Sequence, residues 1–356
     1  MPVRKKRILS YDLLRILAIS MVVMIHCTLP FLRETLPPSA DFTWANALNS
    51  LSRAAVPLFL MLSGALMLDE TKQMDFRSCL RRTGTLLALL VVWSLIFSAA
   101  FYLILPLLRH QPVSLRYAAK QALLGYYHLR FLNLIIGLYL ITPILRLFVK
   151  KENARYVLYF MLLSAVFRGS VPLLNFALNR ITGSQDLFRI LSEKFNMGFV
   201  EPYLTCYLLG WFLTNCTLTG LQRKVLCLLG FAGLLLSFFG TQLFTSPECK
   251  AFDIFYANES IHVILYSAAI FAAVHHRFGT ASVSAPVPAK LIRTGAVLSF
   301  GVYLIHEAIR PFVEKLLMPR LAGWKIPLLW LAVLAASYAA AYVLSRIPGL
   351  RKLVKC

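Results

Sequence analysis

Charged side chains are scarce in this sequence of 356 residues. Asp, Glu, Lys and Arg together make up 15% of it, whereas an average soluble domain has about 25%. Hydrophobic residues make up 59%, and the mean hydropathy is +0.70. This composition excludes an ordinary soluble domain and predicts a protein that lies in a membrane.

Acidic residues are the scarcer of the two charged classes, with 15 Asp and Glu against 37 Lys and Arg. In a soluble protein this excess would suggest nucleic-acid binding, but here the basic residues are spread over the connections between apolar stretches. We therefore expect no nucleic-acid partner. If the N-terminus is cytoplasmic, the cytoplasmic connections hold more basic residues than the outer ones, as the positive-inside rule requires. Both termini are then expected in the cytoplasm.

Other signals are also missing from the sequence. The cysteines are odd in number, seven, and none forms a C-x-x-C pair, so we expect neither a disulfide framework nor a metal site. We find no internal repeat and no matched pair of spans broken by Gly or Pro, the pattern that favours a secondary transporter.

Apolar stretches of roughly twenty residues recur along the chain, the length needed to cross about 30 Å of hydrocarbon. The longest polar segment between them is 175–196, which leaves room for a single domain over residues 1–356. We predict an all-α, polytopic membrane helical bundle of about ten transmembrane helices. Their predicted ranges are 8–32, 44–68, 83–108, 128–148, 155–174, 197–215, 224–244, 258–276, 296–317 and 325–346.

The first of these spans contains "DLLRILAISMVVMIH", residues 12 to 26, with three groups that lipid repels. Arg15 and His26 are eleven residues apart, so they share one helical face and lie about 16 Å apart along the axis. Asp12 is within reach of Arg15, and the two could form only a structural ion pair near the membrane boundary. His26 lies well inside the span, where an ionisable side chain indicates a functional site.

The spacing of Arg15 and His26 resembles the R-x10-H signature of the first helix in the acyltransferase 3 family of integral membrane O-acyltransferases. The resemblance continues in "SRAAVPLFLMLSGALML" (52–68), "YYHLRFLNLIIGLYLITPIL" (126–145) and "SFGVYLIHEAIRPF" (299–312). These segments are similar to the branch that includes O-acetyltransferases of cell-envelope polysaccharides. The chain departs from the family at Arg130, where an aromatic residue is more usual, and at Glu307, where proline is common.

The resemblance implies acyl transfer from acyl-CoA, most simply acetyl-CoA, as a donor substrate, with no tightly bound cofactor. An alcohol needs a base at neutral pH, and imidazole suits this task, so His26 is the predicted base, although a covalent acyl-histidine stays open. Arg15 is expected to hold or polarise the donor. His306 matches the histidine of the family's "YLIH" segment and completes the predicted catalytic set.

The donor's phosphates need cations, and the loop after the second span offers them on the predicted cytoplasmic side. Many family members carry spaced arginines here, and we predict CoA contacts for Arg77, Arg81 and Arg82. The alternative is that these side chains act only as a positive-inside signal that also meets anionic lipid head groups.

Further polar residues inside or at the ends of the spans are candidates for binding the acceptor. The set comprises Asn49, Arg53, His128, Arg130, Glu201, Glu307 and Arg310. Polar side chains also join neighbouring membrane helices by hydrogen bonds, and an interfacial carboxylate such as Glu201 can simply face water. His306, Glu307 and Arg310 have i, i+3 and i+4 relations and are expected to form one buried network.

The sequence thus predicts a multi-pass protein of the bacterial cytoplasmic membrane that moves an acyl group onto a hydroxyl, and the expected acyl group is acetyl. The expected acceptor is a cell-envelope polysaccharide or its lipid-linked sugar precursor, and membrane lipid is the other expected partner. A transporter or flippase of an envelope glycolipid would also need a polar path through its helices. A membrane subunit that senses and does not catalyse is a third alternative.

Overall fold

The computed structural model describes residues 8–354 except 73, 184–186, 251, 280–285 and 319–321. The described residues form helices and no strand, which confirms the predicted all-α bundle. The α-helices are α1 (Leu9–Glu34), α2 (Ala40–Ser52), α3 (Ala55–Met67), α4 (Phe76–Ala99), α5 (Leu105–Leu108), α6 (Leu115–Leu124), α7 (Arg130–Phe148), α8 (Ala154–Ser164), α9 (Val171–Thr182), α10 (Leu187–Lys194), α11 (Pro202–Asn215), α12 (Gly220–Phe244), α13 (Phe252–Phe255), α14 (Ile261–Phe278), α15 (Pro286–Leu317), α16 (Ile326–Leu344) and α17 (Arg351–Val354).

Nine helical stretches among the described residues are long and apolar enough to cross a membrane, some of them made of two or more helices. They correspond to nine of the ten predicted spans. Their bounds are Leu9–Glu34, Ala40–Met67, Phe76–Leu108, Leu115–Phe148, Lys151–Thr182, Gly220–Phe244, Ile261–Phe278, Pro288–Leu317 and Gly323–Leu344.

The remaining predicted span, 197–215, is shorter in the structure because its helix is only α11, about 21 Å long. Tyr203 near its start donates a hydrogen bond of 2.9 Å to Glu259, just before α14. Thr214 near its end lies beside Tyr11 at the start of α1, and the start of α1 contacts the far end of α14. Helix α11 therefore runs from one end of α14 to the other, as a short tenth crossing would.

A close contact between α3 and α11 explains how so short a helix is held. A Cβ atom added at Gly64 would lie 1.7 Å from the carbonyl oxygen of Tyr207, and one at Gly210 would lie 1.8 Å from that of Met61. Only glycine allows the two backbones to approach in this way, the packing device typical of membrane helices.

The second predicted span is interrupted at Arg53. Helix α2 ends at Ser52 and α3 begins at Ala55, with a turn at Arg53 and Ala54. Pro57 has no backbone N–H, so it cannot donate the helical hydrogen bond that the carbonyl oxygen of Arg53 would accept. The interruption places Arg53 at a turn between two helices inside the bundle.

Helix α1 is central, because it packs against α2, α3, α14, α15 and α16. It runs parallel to α15, since Ile16 lies beside Gly295 and His26 lies beside His306. The predicted topology requires this of the first and ninth spans. Residues 1–7 and 355–356 lie outside the described part of the chain, and the cytoplasmic placement of both termini stays a prediction.

Candidate active site

Three histidines from three parts of the chain meet beside the central helix. The ring of His26 on α1 lies 5.0 Å, centroid to centroid, from that of His306 on α15. The ring of His128, on a short turn before α7, lies 5.4 Å from His306 on another side. His306 is fully buried and His128 is 5% exposed. The bundle thus brings together two of the predicted catalytic residues and one predicted acceptor residue.

Hydrogen bonds to the helix backbone define the tautomer of His306. Its Nδ1 lies 2.7 Å from the carbonyl oxygen of Tyr303 and 3.2 Å from that of Val302. A carbonyl oxygen only accepts, so Nδ1 carries the proton and donates. The Nε2 atom is buried and has no hydrogen-bond partner among the described residues, so it presents a lone pair to the cluster.

Glu307 connects His26 to a buried network. Its Oε1 accepts a hydrogen bond of 2.8 Å from Nε of Arg310, and its Oε2 accepts one of 3.2 Å from the same guanidinium. Oε2 also accepts a hydrogen bond from the hydroxyl of Tyr127, and Arg310 donates a further one to Glu314. The Nδ1 atom of His26 lies 3.5 Å from Oε1 of Glu307.

This arrangement orients the imidazole of His26. Nδ1 of His26 faces Glu307 without a hydrogen bond in this structure. A carboxylate only accepts, so a proton on the imidazole would lie on Nδ1 and leave Nε2 as the basic atom. The pair has the order of groups found in carboxylate–histidine catalytic sites, where the carboxylate holds the imidazole in one tautomer. A separation of 3.5 Å is long for a hydrogen bond, and such contacts tighten when substrate binds.

The same three residues could be read as a metal site, because ligand atoms of His26, His306 and Glu307 lie within 4.8 Å of one another. Two imidazoles and a carboxylate form a ligand set that suits zinc. However, the oxygens of Glu307 already accept hydrogen bonds from Arg310 and Tyr127. A cation would have to compete with a guanidinium that stays beside the site, so the geometry favours an orienting role for Glu307 over metal binding.

Arg15, the other predicted catalytic residue, lies at the opposite end of α1. Its NH1 is 3.5 Å from Oδ1 of Asp12, and its side chain is 33% exposed. Eleven residues of regular helix separate it from His26 by about 16 Å. Arg15 is therefore too far from His26 to polarise the thioester carbonyl at the reaction centre. Of its two predicted tasks, holding the donor and polarising it, only the first fits this distance.

Asn49 and Arg53 lie on the other side of His26 and are joined to α1. Asn49 donates a hydrogen bond of 2.5 Å to Oγ1 of Thr28, and it accepts one of 2.6 Å from Nε of Arg53. The guanidinium of Arg53 stacks on the ring of Tyr256, 4.5 Å from its centroid. Burial raises the pKa of Tyr256 to about 12, so its hydroxyl stays protonated at neutral pH. Asn49 is fully buried, whereas Arg53 faces a cavity.

Arg130 and Glu201 are not part of the histidine cluster. Arg130 is exposed at the start of α7, close to Tyr203. The carboxylate of Glu201 lies 3.8 Å from the guanidinium of Arg168, a partner that the sequence did not indicate. Both candidates thus lie near the start of α11, Arg130 close to Tyr203 and Glu201 immediately before Pro202.

The three loop arginines lie on the first turns of α4 and point in different directions. NH1 of Arg82 lies 3.3 Å from the sulfur of Met67, whereas Arg81 lines a cavity of about 480 Å³ together with Lys352. Neighbours on a helix differ by about 100° in direction, so one ligand group cannot readily contact both. Arg77 is exposed one turn before Arg81.

Arg146 is a further basic residue near this surface that the sequence analysis did not single out. It donates hydrogen bonds to the carbonyl oxygens of Met67, Asp69 and Lys72, at 2.7, 3.0 and 2.6 Å. It therefore fixes the loop that leads into α4, beside Arg82. An arginine inside the apolar stretch 128–148 was the available signal.

Comparison with known families identifies the chain. The acyltransferase domain model of the acyltransferase 3 family matches residues 8–346, nearly the whole of it. No curated protein and no solved structure gives a significant match. The match places this polytopic bundle in the class of membrane transferases. The chain belongs to the acyltransferase 3 family, and it is a multi-pass membrane acyltransferase.

Proposed function

We propose that this protein, as one acyltransferase domain, transfers an acetyl group from acetyl-CoA to a hydroxyl of a cell-envelope polysaccharide or its lipid-linked sugar precursor. The proposed location is the bacterial cytoplasmic membrane, with the donor on the cytoplasmic side. The observation that carries the proposal is the imidazole of His26 facing the carboxylate of Glu307, which Arg310 and Tyr127 hold in place.

In the proposed reaction, Nε2 of His26 removes the proton of the acceptor hydroxyl as its oxygen attacks the thioester carbonyl carbon. The C–O bond forms, the C–S bond breaks, and the proton passes from His26 to the departing CoA thiolate. Glu307 stabilises the imidazolium that exists between these two proton transfers. Nε2 of His306 is a lone-pair acceptor, so it can accept a hydrogen bond from a second hydroxyl of the sugar and so position the hydroxyl that reacts.

The donor must reach this cluster from the other end of α1. Acyl-CoA is a long molecule, so its phosphates can lie near the arginines of the cytoplasmic surface while its thioester lies near His26. Arg15, about 16 Å from His26 along α1 and 33% exposed, is the proposed contact along the donor's length. Arg82 and the loop fixed by Arg146 are the proposed phosphate end of this path.

The test is acyl transfer by purified protein in vesicles, with radiolabelled acetyl-CoA and envelope glycan from cells that lack the protein. We expect label to enter the glycan with wild-type protein and not with His26→Ala. Because the scissile bond is the thioester, free CoA should appear in equal amount. Movement of a glycolipid across the bilayer with no CoA release would instead favour a transporter or flippase.

A further inference from the structure

A cavity of about 320 Å³ begins one turn beyond His26 on α1, at Leu29, and carries an excess of positive charge. Of the seven described residues that line it, Arg33, Arg53 and Lys250 are cations and Asp253 is an anion. Leu29, Phe252 and Tyr256 complete the lining. The lining thus has three cationic groups and an apolar and aromatic wall. Such a lining suits an anionic ligand that also has a hydrophobic or sugar face.

The cavity is next to His26 in the structure. His26, Leu29 and Arg33 have i, i+3 and i+7 relations on α1, so they lie on one face with Arg33 about 10 Å beyond His26. Arg53 reaches the same face through Asn49, whose amide donates to Thr28 and approaches the carbonyl oxygen of Ile25 at 3.5 Å. A molecule in the cavity therefore extends toward the imidazole of His26.

The cationic groups are available to a ligand. Arg33 and Lys250 are exposed, and neither has a carboxylate within 4.0 Å among the described residues. Arg53 is more buried and is held rigidly, with Nε bonded to Asn49 and the guanidinium plane stacked on Tyr256. A guanidinium held in place beside two exposed cations suits an oxyanion, because the planar fork of arginine matches carboxylate and phosphate geometry.

We infer that this cavity binds an anionic oxygen group of the acceptor, a carboxylate or a phosphate, close to the hydroxyl that is acylated. The inference rests on the proposed function and deepens it, because it defines the acceptor as an acidic glycan or a phosphate-linked sugar. A neutral glycan would leave the positive charges of the cavity without a counterpart.

The first experiment is mass spectrometry of envelope glycans from cells with and without the intact protein. We expect the acetyl group that disappears to belong to a repeat unit or precursor that carries a carboxylate or phosphate. Acetyl loss from a neutral glycan would overturn the inference and leave the proposed function standing. Loss of acetyl from no glycan would reject the proposed function itself.

The second experiment compares two forms of the glycan identified in this way, the native acidic form and a form neutralised by carboxyl reduction or dephosphorylation. Wild-type protein should show a KM for the acidic form at least about tenfold lower than for the neutral form. The Arg33→Gln, Lys250→Gln double variant should lose this difference and keep its KM for acetyl-CoA. An unchanged ratio in the double variant would overturn the inference.

The control variant is Arg180→Gln, Lys325→Gln, which removes the same charge on the same side of the bundle. Arg180 stacks on Phe244, which in turn stacks on Phe255 beside the cavity, and Lys325 lies over Trp324. We expect this variant to keep the preference for the acidic glycan. Equal loss in both double variants would show a general surface-charge effect and would overturn the assignment to this cavity.

A phospholipid head group has the same anionic chemistry and is the other possible source of the ligand. The assay is therefore repeated in vesicles of phosphatidylcholine alone and in vesicles that also contain phosphatidylglycerol. A preference for the acidic glycan in both supports the inference. If Arg33→Gln, Lys250→Gln changed turnover only where phosphatidylglycerol is present, with the glycan preference intact, the cavity would be a lipid site and the inference would be wrong.

Discussion

The two ends of helix α1 hold their polar groups in opposite ways. At the Arg15 end there is an ion pair of 3.5 Å with Asp12, and the arginine is 33% exposed. At the His26 end, Glu307 is 1% exposed and is bonded to Arg310 and Tyr127, and His306 is fully buried. One end is partly open to a visiting ligand. At the other end the carboxylate of Glu307 is held before any ligand arrives, and only its contact of 3.5 Å with His26 is left to tighten.

This difference matches the two tasks of an acyltransferase. Proton transfer needs atoms held within a few tenths of an ångström, and a buried, interlocked network provides that accuracy. Holding a large donor that enters and leaves needs contacts that form and break easily, as partly exposed side chains do. The following substitutions test whether the two ends of α1 have these separate tasks.

Substitution at the rigid end should have the largest effect. His26→Ala removes the proposed base and should lower kcat by about 10² to 10⁴, with yield and acyl-CoA binding unchanged. Steady-state transfer and calorimetric CoA titration measure the two quantities. His276→Ala, at the exposed end of α14, is the control and should behave like wild type. Wild-type turnover by His26→Ala would remove this histidine from the mechanism.

Glu307→Gln should have the next largest effect, because it keeps the shape of the side chain and removes the charge that stabilises the imidazolium. We expect kcat to fall by about 10 to 10², with the KM for acyl-CoA unchanged. Glu314→Gln neutralises the other carboxylate bonded to Arg310 and is the matched control. Equal losses in both variants would mean that the network matters only through the position of Arg310.

At the adaptable end, Arg15→Lys should raise the KM for acyl-CoA about tenfold and change kcat little, because lysine keeps the charge but lacks the planar fork. Asp12→Asn is the informative partner. If Arg15 served only the ion pair, the two variants would give the same kinetics and neither would alter the KM.

Smaller effects are expected at the basic surface, where the structure separates two adjacent arginines. Arg82→Gln should raise the KM for acyl-CoA severalfold and weaken its salt dependence, since screening acts on a phosphate contact. Arg81→Gln should have less effect, because Arg81 faces the cavity next to Lys352 and points away from the loop fixed by Arg146. The reverse order would place the phosphates in that cavity.

No effect is expected from metal removal. The carboxylate of Glu307 is occupied by Arg310 and Tyr127, so we expect activity after dialysis against EDTA to equal that before it. The measurement is the initial rate with and without added Zn²⁺. Loss of activity on dialysis, with recovery when Zn²⁺ is added, would show that His26, His306 and Glu307 bind a metal ion.

The sequence was informative where the physical cause is local. Apolar length predicts spans, and eleven-residue spacing places Arg15 and His26 on one face, because both depend only on helix geometry. The same reasoning placed His306, Glu307 and Arg310 in one network. The structure shows the hydrogen bonds between Glu307 and Arg310, whereas the hydrogen bonds of His306 among the described residues go to the backbone of its own helix. The predicted roles of these residues in acyl transfer stay predictions until the variants are measured.

What the sequence could not show depends on how helices pack. Nothing local indicates that Glu307 faces His26, or that Tyr127 reaches Glu307 across 180 residues of chain. Glu201 has Arg168 as its partner at 3.8 Å, a contact that no local pattern of the sequence indicates. The cavity beside His26 depends on α2 ending at Arg53 and on residues of the α13 region, which come together only in the folded bundle.

The tautomer of His306 has a consequence for which glycans the site retains. Because Nδ1 donates to the backbone, Nε2 is a permanent acceptor, and only a ligand that brings a hydrogen can satisfy it. A free hydroxyl beside the one that reacts has such a hydrogen, but the same position has none once it is esterified. A buried acceptor left unsatisfied costs about 1 to 3 kcal/mol, so the site should hold a glycan esterified at that position about 5- to 160-fold more weakly than the unmodified glycan. A densely acetylated glycan would therefore inhibit the enzyme little.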